Sequence, residues 1–209
     1  MSKPHERYHH GDLKTSLLEA ANQILHRDGA DSLSLRAIAA EVGVSHMAPY
    51  SHFKNKKELL QSVAEDGFNQ MADAMEANVS HLDKNQKKNA AELILTYGAT
   101  YLEFAIHNPQ LYRLMLGQVE TTGRKIKSTR DGTTETLTPR TMRPFTLLRA
   151  AFALGSNNEA EEKAQALGAW SMVHGMAALI IEGHIKVPGN ISIKQFLAAA
   201  APQSGIFKS

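Results

Sequence analysis

The segment LRAIAAEVGVSHMAPYSHF, residues 35–53, constrains the fold more than any other part of the chain. Ala39 and Gly43 stand four apart in it. Where two helices cross steeply around a tight turn, the first needs a small residue at the crossing, and the turn needs a residue that tolerates positive φ. Ala39 meets the first requirement and Gly43 the second. Ile38, Val42 and Val44 then supply apolar contacts shared by the two helices, and Ser45 is placed to start the second. Many ordinary helical hairpins have the same spacing, so it predicts a helix-turn-helix or a plain helical hairpin alike.

The rest of the chain also punctuates as helices, with no alternating strand pattern of useful length, so the fold class is all-α. Leu13, Leu17, Leu18, Ala21, Ile24 and Leu25 repeat at helical spacing over 13–27, and Asp28-Gly29 ends that run. Ser34 caps a short helix through Val42, with Gly43 as its stop. A long helix comes next, over about 55–81. From Asn89, AAELILTYGATYLEFAI is apolar nearly all round, which predicts a central, buried helix. Asn108-Pro109 breaks it, and 110–116 is a short continuation. Residues 117–138, rich in Thr and Gly, read as a surface loop. Helices near 139–154 and 158–186 close the core, and a short one runs over 192–200.

Composition narrows the function classes. With 43% apolar residues in 209, the chain can bury one sizeable core, or form a small module on a larger one. It has no cysteine, which excludes thiolate metal sites, disulfides and cysteine nucleophiles. The polar start, MSKPHERYHHGDLK, lacks the apolar core of a secretory signal. No run of 18 apolar residues appears, so no membrane span is expected, and the expected location is cytoplasmic. The net charge of +2 is compatible with nucleic acid without arguing for it. His9, His10, His46 and His52 have no metal-ligand spacing. Ser171 and His174 stand three apart on a helix with no acidic orienter at an evident spacing. No catalytic residue, metal or cofactor is expected.

The residues beyond Gly43 make the first motif specific. Gly43-Val44-Ser45 leads to Tyr50, Phe53 and the run Lys54-Asn55-Lys56-Lys57-Glu58-Leu59-Leu60. With Ala20, Ala21, Gly29 and LSLRAIAAEVG before it, this resembles the DNA-binding domain of the tetracycline-repressor (TetR) family of transcriptional regulators over about residues 10–65. Trp170, His174 and Gly175 form Trp-x-x-x-His-Gly, which looks like a subgroup whose regulatory domain carries that signature. The chain departs from the usual pattern at Met47, Ala48 and Pro49, where Gly, Thr and Leu are commoner. A threonine hydroxyl that could meet DNA is thus absent.

The resemblance implies a flexible arm over 1–9, a three-helix helix-turn-helix DNA-binding domain over 10–55, and a larger helical ligand-binding and dimerisation domain over 56–209. It implies a homodimer on a double-stranded DNA operator, responding to a small-molecule effector of unknown identity. Expected DNA contacts are Ser34, Arg36, Ser45, His46, Met47, Tyr50, Ser51, His52, Lys54 and Lys56. Tyr50 resembles the family tyrosine that meets a phosphate. The lysines are either phosphate contacts or a solvated turn. Lys3, Arg7, His9 and His10 form either a minor-groove arm or a plain tail.

Pro49 interrupts the second helix of the motif. With Ser45 as N-cap, Pro49 is the fourth helical residue and withholds the N–H that would pair with the Ser45 carbonyl. Alternatively the helix tightens and effectively begins at Pro49, with 45–48 as a turn. Either way Pro49 is an apolar plug against the core.

In the larger domain Tyr97, Tyr101, Phe104, Met115, Phe145, Leu148, Trp170 and His174 are the expected effector pocket. Plain core is the competing expectation for such stripes. Gly168, Ser171, Gly175 and Ala178 form a small-residue stripe expected at the dimer interface, in a four-helix bundle made by the last long helix and the one before it. Two rival functions remain open. One is an architectural DNA binder without an effector, and the other a helical enzyme.

Overall fold

The computed structural model describes residues 13–118 and 142–201. The expected N-terminal arm, nearly all of the expected 117–138 loop and the first residues of the helix expected from Pro139 lie outside the described residues. The described residues are all-helical, with eight α-helices and three 3₁₀ turns. They form two compact units, residues 13–67 with 110–118, and residues 68–109 with 142–201.

The first unit contains α1 (Leu13–Asp28), α2 (Leu35–Val42), the first half of α3 (Lys56–Asn78) and most of the short helix Pro109–Gln118. Local chemistry sets nearly every boundary. Gly29 at φ 80 ends the chain's turn out of α1. Ser34, extended at φ −152, accepts the Ala37 N–H at 3.0 Å and caps α2. Gly43, at φ 77, closes it. The Gly43 N–H pairs with the Ala40 carbonyl and the Val44 N–H with the Ala39 carbonyl, as in a Schellman cap. Leu17, Leu25, Leu33, Ile38, Ala39, Phe53, Leu59 and Val63 are fully buried together in this unit. Ile38 and Ala39 thus sit in the core as expected, whereas Val42 and Val44 are half-buried.

The second unit is built round α4 (Ala90–His107), which is buried at eleven positions. α5 is the helix Pro109–Gln118, so Gly117 lies in a helix and not in the expected loop. α6 (Arg143–Ala153), α7 (Glu159–Ile181) and α8 (Ile193–Ala200) pack on α4, and α6 also packs on α7. α8 begins with a capping box between Ser192 and Gln195. Gly98 makes room for it. A Cβ there would lie 2.7 Å from the Leu197 side chain.

Two helix ends differ from the sequence expectation. The long helix α3 stops at Asn78, three residues short of His81. α7 stops at Ile181, not Lys186, because Gly183 adopts φ 77. There the Gly183 and His184 N–H groups turn back to the Ile180 and Leu179 carbonyls. By length and composition alone α7 could cross a membrane. Only Ala166, Ala169, Val173 and Ala177 bury its inner face, and Leu167, Ser171, Gly175, Ala178 and Leu179 are exposed on the other.

Candidate nucleic-acid interface and helical-domain site

The segment after Gly43 does not form an α-helix. Residues Ala48–Ser51 make one 3₁₀ turn, with Met47 as the residue before it. Ser45 therefore caps no helix, which corrects that part of the sequence expectation. The reason is Pro49. The Ser45 carbonyl lacks its i+4 donor there and instead takes the Ala48 N–H at 3.0 Å, a three-residue bond that tightens the chain. Pro49 is buried, as the plug expectation required. Its carbonyl accepts from both His52 and Phe53, at 3.0 and 2.9 Å, and ties the turn to buried Phe53. The turn packs on α2.

Asn55 and Glu58 then fix the start of α3. Asn55 Oδ1 accepts the Glu58 N–H at 3.0 Å, while the Glu58 carboxylate accepts the Lys54 N–H at 2.8 Å. The sequence reading started the long helix at about residue 55 but did not pair Asn55 with Glu58, although Asn-x-x-Glu ahead of an apolar run is a readable helix start. Ser45, His46, Met47, Tyr50, Ser51, Lys54 and Lys56 all lie exposed within this one stretch. Arg36 on α2 is also exposed. Ser34 and His52 are half-buried, and the Ser34 hydroxyl is engaged as a cap. Lys56 Nζ reaches the Asp31 carbonyl at 3.4 Å, a long contact that a phosphate could replace. On the neighbouring surface Arg27 forks onto the Glu41 carboxylate, both contacts at 3.1 Å, and holds that carboxyl below its usual range.

In the second unit four of the eight expected pocket residues meet. The Tyr101 ring on α4 lies 5.1 Å from Trp170 and 5.0 Å from His174 on α7. Trp170 and His174, one turn apart, stand 4.6 Å from each other. Phe145 on α6 meets Trp170 edge-on at 5.6 Å. Tyr101 is fully buried, and Phe145, Trp170 and His174 are half-buried. His174 Nδ1 donates to the Trp170 carbonyl at 3.0 Å. Burial pushes the imidazole below its usual pKa, and the carbonyl bond offsets part of that. Tyr97 and Leu148 are buried nearby on the same helices and Phe104 is half-buried on α4. Burial, with the Glu76 charge, pushes the Tyr97 hydroxyl up. Met115 falls in the other unit, where its sulfur lies over Gly67.

The match to known families covers both units. The model for the C-terminal domain of tetracyclin-repressor-like proteins matches residues 94–200, more than half of the chain. The model for bacterial regulatory proteins of the tetR family matches residues 17–63. The chain belongs to the TetR family of transcriptional regulators. It is 40% identical over 60 residues to the HTH-type nicotine-responsive transcriptional repressor HdnoR of Paenarthrobacter nicotinovorans, covering 29% of this chain and 31% of that protein. It is 33% identical over 105 residues to the nucleoid occlusion factor SlmA of Pectobacterium carotovorum subsp. carotovorum (strain PC1), half of each. The chain thus spans 31% to 50% of the length of these curated relatives. A solved protein of unknown function from Rhodococcus sp. RHA1 superposes with a TM-score of 0.68 at 25% identity, over 94% of this chain and 95% of that one.

TetR-family regulators are soluble, DNA-binding, dimerising and generally non-enzymatic proteins. In this member the residues of the helix-turn-helix match, 17–63, contain the 3₁₀ turn and its exposed strip. Among the described residues no group of three or more His, Asp or Glu could hold a metal. The sequence did not single out the polar chain inside the second unit. Asn78 donates to the Thr100 hydroxyl at 2.9 Å, and Thr100 donates to the Thr96 carbonyl. Lys194 of α8 donates to the Thr96 hydroxyl at 2.9 Å. Thr96 and Thr100 sit on a helix that otherwise reads as apolar, and a threonine pair four apart was the available signal.

Proposed function

We propose that this chain is a homodimeric repressor that leaves a near-palindromic operator when a small molecule binds its helical domain. The exposed strip over residues 45–56, inside the family's DNA-binding segment, carries this proposal. One such short surface reads only a few base pairs. A two-fold dimer presents two of them about 34 Å apart, in successive major grooves. The outer face of α7 supports the dimer. Leu167 is 58% exposed and Leu179 43%, and Ser171, Gly175 and Ala178 between them are small. A Cβ on Gly175 would meet nothing within 4 Å, so a partner helix could approach closely. The effector site is the Tyr101, Phe145, Trp170 and His174 cluster, with the Trp-x-x-x-His-Gly signature supplying two of its rings. An effector works by preferring one arrangement of α3, the helix to which both units contribute residues. Coupling of about 1–3 kcal/mol changes operator affinity about 5- to 150-fold, enough for induction. A cytoplasmic location accords with this role.

Binding to duplex DNA tests the proposal. Protein incubated with a random-sequence duplex library should enrich a palindromic site, and Lys56→Ala should flatten the salt dependence by about one unit of log–log slope. Absence of enrichment and of salt-dependent binding would refute it. A second function stays in view, DNA binding without an effector; half of the chain is similar to a nucleoid occlusion factor, and 29% of it to a nicotine-responsive repressor. A chain of that kind would bind with little site preference, and no small molecule would release it.

A further inference from the structure

Met47 is the most exposed large apolar side chain among the described residues, at 72%. Tyr50, at 52%, stands three positions later. A 3₁₀ helix has three residues per turn, so residues three apart eclipse one another and project to one side. Met47 and Tyr50 therefore share the outward side of the turn, and the Tyr50 N–H closes on the Met47 carbonyl at 3.2 Å. Polar groups flank this side of the turn. Ser51 spends its hydroxyl proton on the Ala48 carbonyl at 2.7 Å. Ala48 is half-buried and Pro49 buried. At the centre of the strip the exposed surface is the Met47 thioether chain, the Tyr50 phenol and Ser51, with Ser45 and His46 before them and Lys54 after.

A lone exposed methionine is ordinary on a protein surface. This one stands within residues 17–63, the tetR-family match and the proposed DNA-binding segment, beside a turn anchored by buried Pro49 and Phe53. The apolar feature of a base edge in the major groove is the C5 methyl of thymine. A flexible, polarisable methionine adapts to such a small target. We infer that Met47 reads a thymine methyl in each half-site, so that base choice at that position rests on apolar contact and not on a hydrogen bond. Met47 has this role only if the chain binds duplex DNA as proposed above.

The test separates the two. Duplexes enriched from a random library are resynthesised with each thymine in turn replaced by deoxyuridine, which removes only the methyl. One thymine per half-site should then matter to the wild type by roughly fourfold in affinity, the equivalent of burying one methyl group. Met47→Ala should bind the intact duplex weaker by a similar factor and become indifferent to deoxyuridine at that position. Met47→Leu should keep the sensitivity. Both variants should melt like the wild type, since the side chain is exposed. If sites are enriched but no deoxyuridine effect disappears in Met47→Ala, the inference falls and DNA binding stands. Salt-dependent binding without any enriched site has the same meaning. A chain that binds no duplex at all overturns the proposed function and the role of Met47 together.

Discussion

The two units reach their helical structure by different routes. In the first, element ends are fixed by single residues with local jobs: Ser34, Gly43, Pro49 and the Asn55–Glu58 pair. In the second, the placement of helices depends on side chains far apart in sequence. Tyr101, Phe145, Trp170 and His174 meet from three helices. Arg143 pairs with Asp73 and Glu76, about 70 positions earlier, and Lys194 with Glu92 about 100 earlier. A locally specified unit can present a rigid exposed surface. A unit specified by distant packing depends instead on contacts that form only once the chain has folded.

The largest test of that contrast falls in the second unit. Tyr101→Ala removes a fully buried ring that contacts two partners, and should cost about 3–5 kcal/mol. Denaturant unfolding measures it. A loss below about 1 kcal/mol would mean that the aromatic cluster is not core to this unit.

Pro49 tests the first unit. Pro49→Asp places a carboxylate in a buried position and should destabilise by at least about 1–3 kcal/mol, with loss of DNA binding. Pro49→Leu keeps an apolar side chain and restores a donor for the Ser45 carbonyl, so its melting temperature should change little. The restored donor also allows the turn to wind into an α-helix and re-aim Met47, which a shift in enriched DNA sequence would report. Equal tolerance of Asp and Leu would show that Pro49 is no plug.

A smaller effect is expected from the cap. Ser34→Ala removes the acceptor of the Ala37 N–H and should cost about 1 kcal/mol, read as a lower denaturation midpoint. An unchanged midpoint would mean that boundaries in the first unit are set by packing after all, and the contrast would weaken.

The smallest effect is a pH dependence. Burial lowers the His174 pKa in the folded chain, so the unfolded chain binds the proton more readily. The stability tied to neutral His174 is complete above the ordinary histidine range and declines as pH falls through that range towards the lowered folded value. His174→Gln should remove this component and leave a flatter acid limb in melts followed across that window. Identical acid limbs would place His174 in an environment no drier than water.

How much was legible depends on the range of each interaction. The sequence by itself determined the all-α class, the α2 boundaries at Ser34 and Gly43, the buried character of α4, the burial of Pro49 and the start of α8 at Ser192. Each arises from dihedral preference, capping or apolar spacing within a few residues. The end of α7 was equally local: the apolar run stops at Ile181 and Gly183 follows it, although the expected helix ran on to Lys186. The tertiary structure decided the rest. It made the segment after Ser45 a 3₁₀ turn, since a missing donor at Pro49 can be answered by an α-helix or by a tighter turn, and packing of Pro49 and Phe53 on the core selects between them. It brought Tyr101, Phe145, Trp170 and His174 together while placing Met115 in the other unit, because periodicity names the apolar face of a helix but not the helix it will meet. It turned Ser171, Gly175 and Ala178 outward, since α7 is apolar on two faces and only the packing of α4 and α6 against one of them leaves the other exposed.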